Sequence, residues 1–70
     1  MLTFFEACRI IAAECPNEYA KAYARAGMDL TGDRDAERTQ GMYILSNLSH
    51  WRSPKATEVR AFLKEYVKNV

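Results

Sequence analysis

The sequence predicts an all-α fold, a compact bundle of three to four helices forming one domain over residues 1–70. Three observations predict it. Apolar residues recur at helical spacing through most of the chain. Thr3, Asp33 and Ser53 stand where helix N-caps are needed. Pro16 and Pro54 punctuate the pattern, and there are no internal repeats, linkers or low-complexity segments.

The first helix is expected from Thr3 to Glu14. Phe4, Cys8, Ile11 and Cys15 share one row, with Phe5, Cys8 and Ala12 beside it. Thr3 is its N-cap, and Glu6 stands at the capping-box position. Pro16 lacks a backbone donor and disfavours helical geometry at Cys15, so the chain breaks or kinks sharply there. The second helix is expected from Pro16 or Asn17 to Asp29. Ala20, Ala22, Ala24 and Ala26 permit close approach of a neighbour, while Tyr19, Tyr23, Ala26 and Leu30 form a row that supplies bulk. Thr31-Gly32-Asp33 is a turn signal.

Asp33 then caps a central helix, with Asp35 and Glu37 in its first turn favouring the positive end of the dipole. This helix is expected to run to Arg52, roughly 28 Å at about 1.5 Å per residue. Its second half, Gly41 to Arg52, is the densest apolar block and holds the only Trp and the only His. Ile44, Leu48 and Trp51 form one row, and Gly41, Leu45 and Leu48 an overlapping second. Gly41 costs about 1 kcal/mol against Ala in a helix interior, so it reads as a notch for a neighbouring backbone. Tyr43, Asn47 and His50 take the opposite face. Ser53 caps the last helix and Pro54 occupies its first position. From there to Asn69 the apolar pattern is regular, with Val59, Phe62, Leu63, Tyr66, Val67 and Val70 on one side. Arg60, Lys64 and Lys68 form a basic row on another.

A chain of this length buries only roughly 60% of its unfolded surface, so disulfides, metal or self-association often assist. Cys8 and Cys15 on one helix would lie about 10 Å apart, beyond bridging distance. Two cysteines and one histidine fall short of a four-ligand zinc set. No metal and no cofactor are therefore expected, and a homo-oligomer is left open. Free thiols suit a reducing cytoplasm. The N-terminal stretch carries Glu6, Arg9 and Glu14, unlike a secretory signal, and no run approaches the roughly 18 apolar residues of a membrane span. The expected location is the cytoplasm of a bacterial host cell, away from the membrane.

Net charge is +1, which advertises no nucleic-acid partner by itself. The charge is polarised, however. Residues 1–37 carry four cations against seven anions, a balance of −3, and residues 38–70 carry six against two, a balance of +4. Helix-dipole complementarity explains only part of this.

Catalysis finds little support. Ser46 and His50 could pair on one helical face, but their orienting carboxylate would have to come from residues 29–35, at the far end of the helix. No phosphate loop, nucleophile elbow or metal-ligand spacing is present. The expectation is a non-enzymatic protein that binds another protein through Tyr43, Asn47, His50, Trp51 and Arg52. Trp51 is the ambiguous member. Its periodicity makes it the closing residue of the core, while Trp and Arg are also enriched at interface hot spots. The alternative is a nucleic-acid-binding regulator using His50, Arg52, Lys55, Arg60, Lys64 and Lys68. Two helices joined tightly at Ser53-Pro54 suggest a helix-turn-helix layout, although Glu58 falls among the groove-facing positions.

The run Tyr43-Ile44-Leu45-Ser46-Asn47-Leu48, followed by Trp51-Arg52, Glu58-Val59-Arg60 and Leu63-Lys64, resembles short uncharacterised helical proteins encoded in bacteriophage and prophage genomes. The resemblance covers roughly residues 15–68. It implies a small phage-type accessory protein, an adaptor, inhibitor or regulator of a host or phage protein, and it transfers no role to any residue.

Overall fold

A computed structural model describes residues 2–30, 32–48 and 51–68. It contains four helices, α1 (Phe4–Glu14), α2 (Glu18–Met28), α3 (Arg34–Leu45) and α4 (Pro54–Lys68). Each packs on its neighbour in the chain, and α4 returns against α1, so the four close a ring around one core. The all-α bundle is thus as the sequence predicts. Among the described residues no helix is long and apolar enough to cross a membrane.

The caps explain where the helices begin. Thr3 Oγ1 accepts from the Glu6 N–H at 3.1 Å, and Glu6 Oε1 accepts from the Thr3 N–H at 3.0 Å, completing the expected box. Cys15, forced out of helical geometry by Pro16, is extended with ψ 133°, so the joint is a break and not a kink. The second helix starts later than expected. Asn17 is its cap, its Oδ1 accepting from the N–H groups of Tyr19 and Ala20, and Pro16 lies before the helix. Asp33 caps α3 through the Ala36 N–H, after a turn in which Gly32 takes φ +105°. Ser53 caps α4 through the Ala56 N–H.

The central helix differs most from expectation. It ends at Leu45, giving about 18 Å of helix and not 28 Å. Polar side chains compete there for the last carbonyls: Ser46 Oγ donates to Met42 O at 3.0 Å, and Asn47 Nδ2 to Tyr43 O at 2.9 Å. The backbone tightens into i→i−3 bonds from Asn47 to Ile44 and from Leu48 to Leu45, and the helix stops. Leu48 and Trp51 are nevertheless buried. Their i, i+4, i+7 spacing from Ile44 thus marks burial without requiring one continuous helix.

The core joins Phe4, Cys8, Ile11 and Cys15 of the first segment to Ile44, Leu48, Trp51, Val59 and Leu63. Cys8 and Cys15 are free thiols, both buried. On α2 the buried row is Ala20, Ala24 and Gly27, while Tyr19 and Tyr23 of the expected row face outward. Small residues let α1 come close, which leaves the tyrosines no interior space.

Two glycines are notches. A Cβ on Gly41 would meet Val67 Cγ1 at 2.9 Å and the Phe4 ring at 3.7 Å, so side chains, and not the expected neighbouring backbone, fill that space. A Cβ on Gly27 would stand 2.9 Å from Cys8 Sγ and 3.3 Å from Phe4 Cε2, both buried. Gly27→Val should therefore lower stability by about 1–3 kcal/mol, the usual scale of overpacking. Gly27→Ala should lose less, because the gain of about 1 kcal/mol in helix propensity offsets part of the clash. Chemical-denaturation midpoints of the two variants check this, and an unchanged midpoint for the valine would refute the close approach.

Candidate binding surfaces

The expected site residues differ in exposure. Tyr43 is exposed, and Asn47 is half-buried with its amide bonded to Tyr43 O. Trp51 is 4% exposed and belongs to the core, which decides between its two readings. Arg52 is exposed, and His50 lies outside the described residues. Because the helix stops at Leu45, Asn47 lies beyond the helix that carries Tyr43. Ser46 directs its hydroxyl at Met42 O, at the end of α3.

The basic row is also reassigned in part. Arg60 is half-buried, and its Nη2 donates to Leu48 O at 2.9 Å and Trp51 O at 2.7 Å. It therefore ties α4 to backbone carbonyls of the segment that follows α3, a structural use for its guanidinium. Lys55 lies 3.8 Å from Glu58, and Lys68 lies 4.0 Å from Glu65, both in exposed i, i+3 pairs. Like Arg60, Arg52 and Lys64 make no ion pair among the described residues.

Two other surfaces stand out. The first straddles α2 and α3. Tyr23 and Tyr43 stack with ring centroids 5.6 Å apart and planes 26° apart. They are 36% and 52% exposed, and Tyr19, one turn before Tyr23, is 71% exposed. Gln40 Nε2 donates to Tyr23 O at 2.8 Å, tying α3 to α2 beneath the pair. The sequence reading places Tyr43 in a binding face and gives Tyr19 and Tyr23 only a row that supplies bulk.

The second is a groove of about 440 Å³ where the start of α1 and the first turn of α3 meet α4, lined by Leu2, Phe5, Glu37, Phe62 and Tyr66 among others. Glu37 is only 6% exposed, the one buried charged residue of the described chain. Its Oε2 accepts from the Gly32 N–H at 3.1 Å and its Oε1 from the Tyr66 hydroxyl. Tyr66 stacks on Phe4 and Phe62, each 5.5 Å away, and the Arg34 guanidinium lies 5.8 Å from its ring centre. Burial, then the hydrogen bond to Glu37 and its negative charge, push the Tyr66 phenol above its ordinary pKa, with Arg34 opposing. Burial, helped by the Glu37 charge, pushes the Cys8 thiol up to about 12.

Glu37 was readable in principle. It precedes Gly41, Ile44 and Leu48 at helical spacing on the same inward row. Its charge and its place in the first turn gave it a dipole role instead.

Comparison with protein-family models, curated proteins and solved structures finds no match in any of the three.

Proposed function

We propose that this chain is a non-enzymatic protein-binding domain that docks through Tyr19, Tyr23 and Tyr43. The observation that carries this reading is the stacked, solvent-facing Tyr23–Tyr43 pair spanning two helices. Tyrosine offers a large amphipathic surface at low entropic cost, and aromatic residues are enriched in the central part of protein interfaces. Here the pair is ordered before binding. The Gln40 bond to Tyr23 O fixes one backbone and the Asn47 bond to Tyr43 O the other, so little freedom is left to lose on association. Burying the hydroxyl-tipped rings against a partner would satisfy both their apolar faces and their polar ends. The resemblance to phage- and prophage-encoded proteins makes a host or phage protein the natural partner class.

The test is affinity capture from bacterial lysate, after nuclease treatment, with the wild type and a Tyr23→Ser, Tyr43→Ser double variant. Both positions are exposed enough for the variant to keep its fold, which circular dichroism verifies. A stoichiometric protein held by the wild type and reduced at least tenfold on the variant is the expected result. Equal capture by both, or companions lost on nuclease digestion, would overturn the tyrosine assignment.

A further inference from the structure

The groove beside Glu37 lies on other residues and does not depend on the tyrosine face. Its volume of about 440 Å³ falls in the range of roughly 300–1,000 Å³ typical of small-molecule sites. Its walls are apolar and aromatic, from Leu2, Phe5, Phe62 and Tyr66, and its lining includes one charged group, Glu37.

Glu37 is satisfied as a hydrogen-bond acceptor but not neutralised. Its two bonds come from a backbone amide and a phenol, both uncharged donors. No cationic side chain among the described residues lies within ion-pair distance of it. A carboxylate offers about four lone-pair sites, and two are used. Arg34 is exposed and sits over the Tyr66 ring without an ion pair to the carboxylate. A buried, unpaired anion is costly, and a bound cation relieves that cost. The aromatic rims add a second preference of the same sign, because their π-faces are negative. Phe5, 42% exposed at the mouth, offers such a ring to an entering ligand.

We propose that this groove binds a small organic ammonium ion with an aromatic or branched aliphatic body, the cation set against Glu37 and the body between Phe5 and Phe62. An apolar ligand without charge would gain only the walls. An anionic one would meet the carboxylate.

The experiment is an NMR titration of the full chain with three matched probes: 2-phenylethylammonium, 2-phenylethanol and 3-phenylpropionate. The ammonium should bind at least tenfold more tightly than the alcohol and shift the resonances of Phe5 and Phe62, with the carboxylate weakest. Phe5→Ser, at an exposed position, should weaken the ammonium about tenfold without loss of fold. Glu37→Gln should reduce the preference for ammonium over alcohol to about twofold or less. The proposal fails if the three probes bind alike, if the shifts lie away from the groove, or if Phe5→Ser leaves ammonium affinity unchanged. It fails equally if the ammonium preference persists in folded Glu37→Gln.

Discussion

Raising the pH from 9 to 12 should cost the wild-type protein up to about 4 kcal/mol of folding stability through Cys8 alone. The ordinary thiol pKa is 9.0, and burial first, with the Glu37 charge second, raises it to about 12 in the folded chain. Three pKa units correspond to about 4 kcal/mol at about 1.36 kcal/mol each. The sign follows from proton counts. Above pH 9 the unfolded chain releases the thiol proton and the folded chain retains it, so the folded state binds more protons and stability falls with pH. The contribution is fully present below 9, declines through the interval and levels off above 12. Tyr66 acts in the same direction at higher pH, since its phenol is also held above its ordinary value of 10.0. Urea unfolding at a series of pH values reads the slope. Cys8→Ala should start less stable, having lost a buried side chain, yet decline less steeply by close to one proton's worth between pH 9 and 12. Parallel curves for the two proteins would show that Cys8 is not held as a buried neutral thiol.

The buried part of the first helix and three of the four N-caps, Thr3, Asp33 and Ser53, are legible in the sequence, for one physical reason. Capping and amphipathic spacing are local, and Thr3, Asp33 and Ser53 act on amides two to four residues away. The second helix misled because its apolar row and its buried row differ. Tyr19 and Tyr23 carry more hydrophobic surface than Ala20 and Ala24, but the close approach of α1 admits only the small residues. That approach depends on Gly27 and Cys8, residues from two helices, and spacing along one helix does not encode it. Similarly, Arg60 reads as one member of a basic row. Its partners, Leu48 O and Trp51 O, lie in the segment that follows α3. Glu37 was legible as a helix-start acid, but its partner Tyr66 lies 29 residues away. The candidate surfaces thus arise from long-range pairings, which explains why the tyrosine face and the groove were missed in large part.

Trp51→Ala is expected to destabilise the fold by about 3–5 kcal/mol, the usual cost of truncating a buried aromatic to alanine. Domains hold about 0.05–0.15 kcal/mol per residue, so a chain of 70 residues should lose a large share of its margin and melt tens of degrees lower. An exposed interface anchor would behave in the opposite way, with stability unchanged and only a partner lost. Circular dichroism during denaturation separates the two, and it is the suitable probe because the variant lacks the chain's one Trp. Arg60 supplies a second arm. Its guanidinium holds both Leu48 O and Trp51 O, and charged hydrogen bonds contribute about 1.5–3 kcal/mol each where buried. Arg60 is half-buried, so Arg60→Met should cost about 2–3 kcal/mol in total. Both substitutions act on the same contact, because Arg60 holds the backbone carbonyl of Trp51 itself. The double variant should therefore lose less than the sum of the two single losses, with a coupling of about 1 kcal/mol or more. Strict additivity would mean that the side chain of Trp51 and the guanidinium of Arg60 stabilise separate parts of the bundle, and that the early stop of the central helix does not depend on their joint hold.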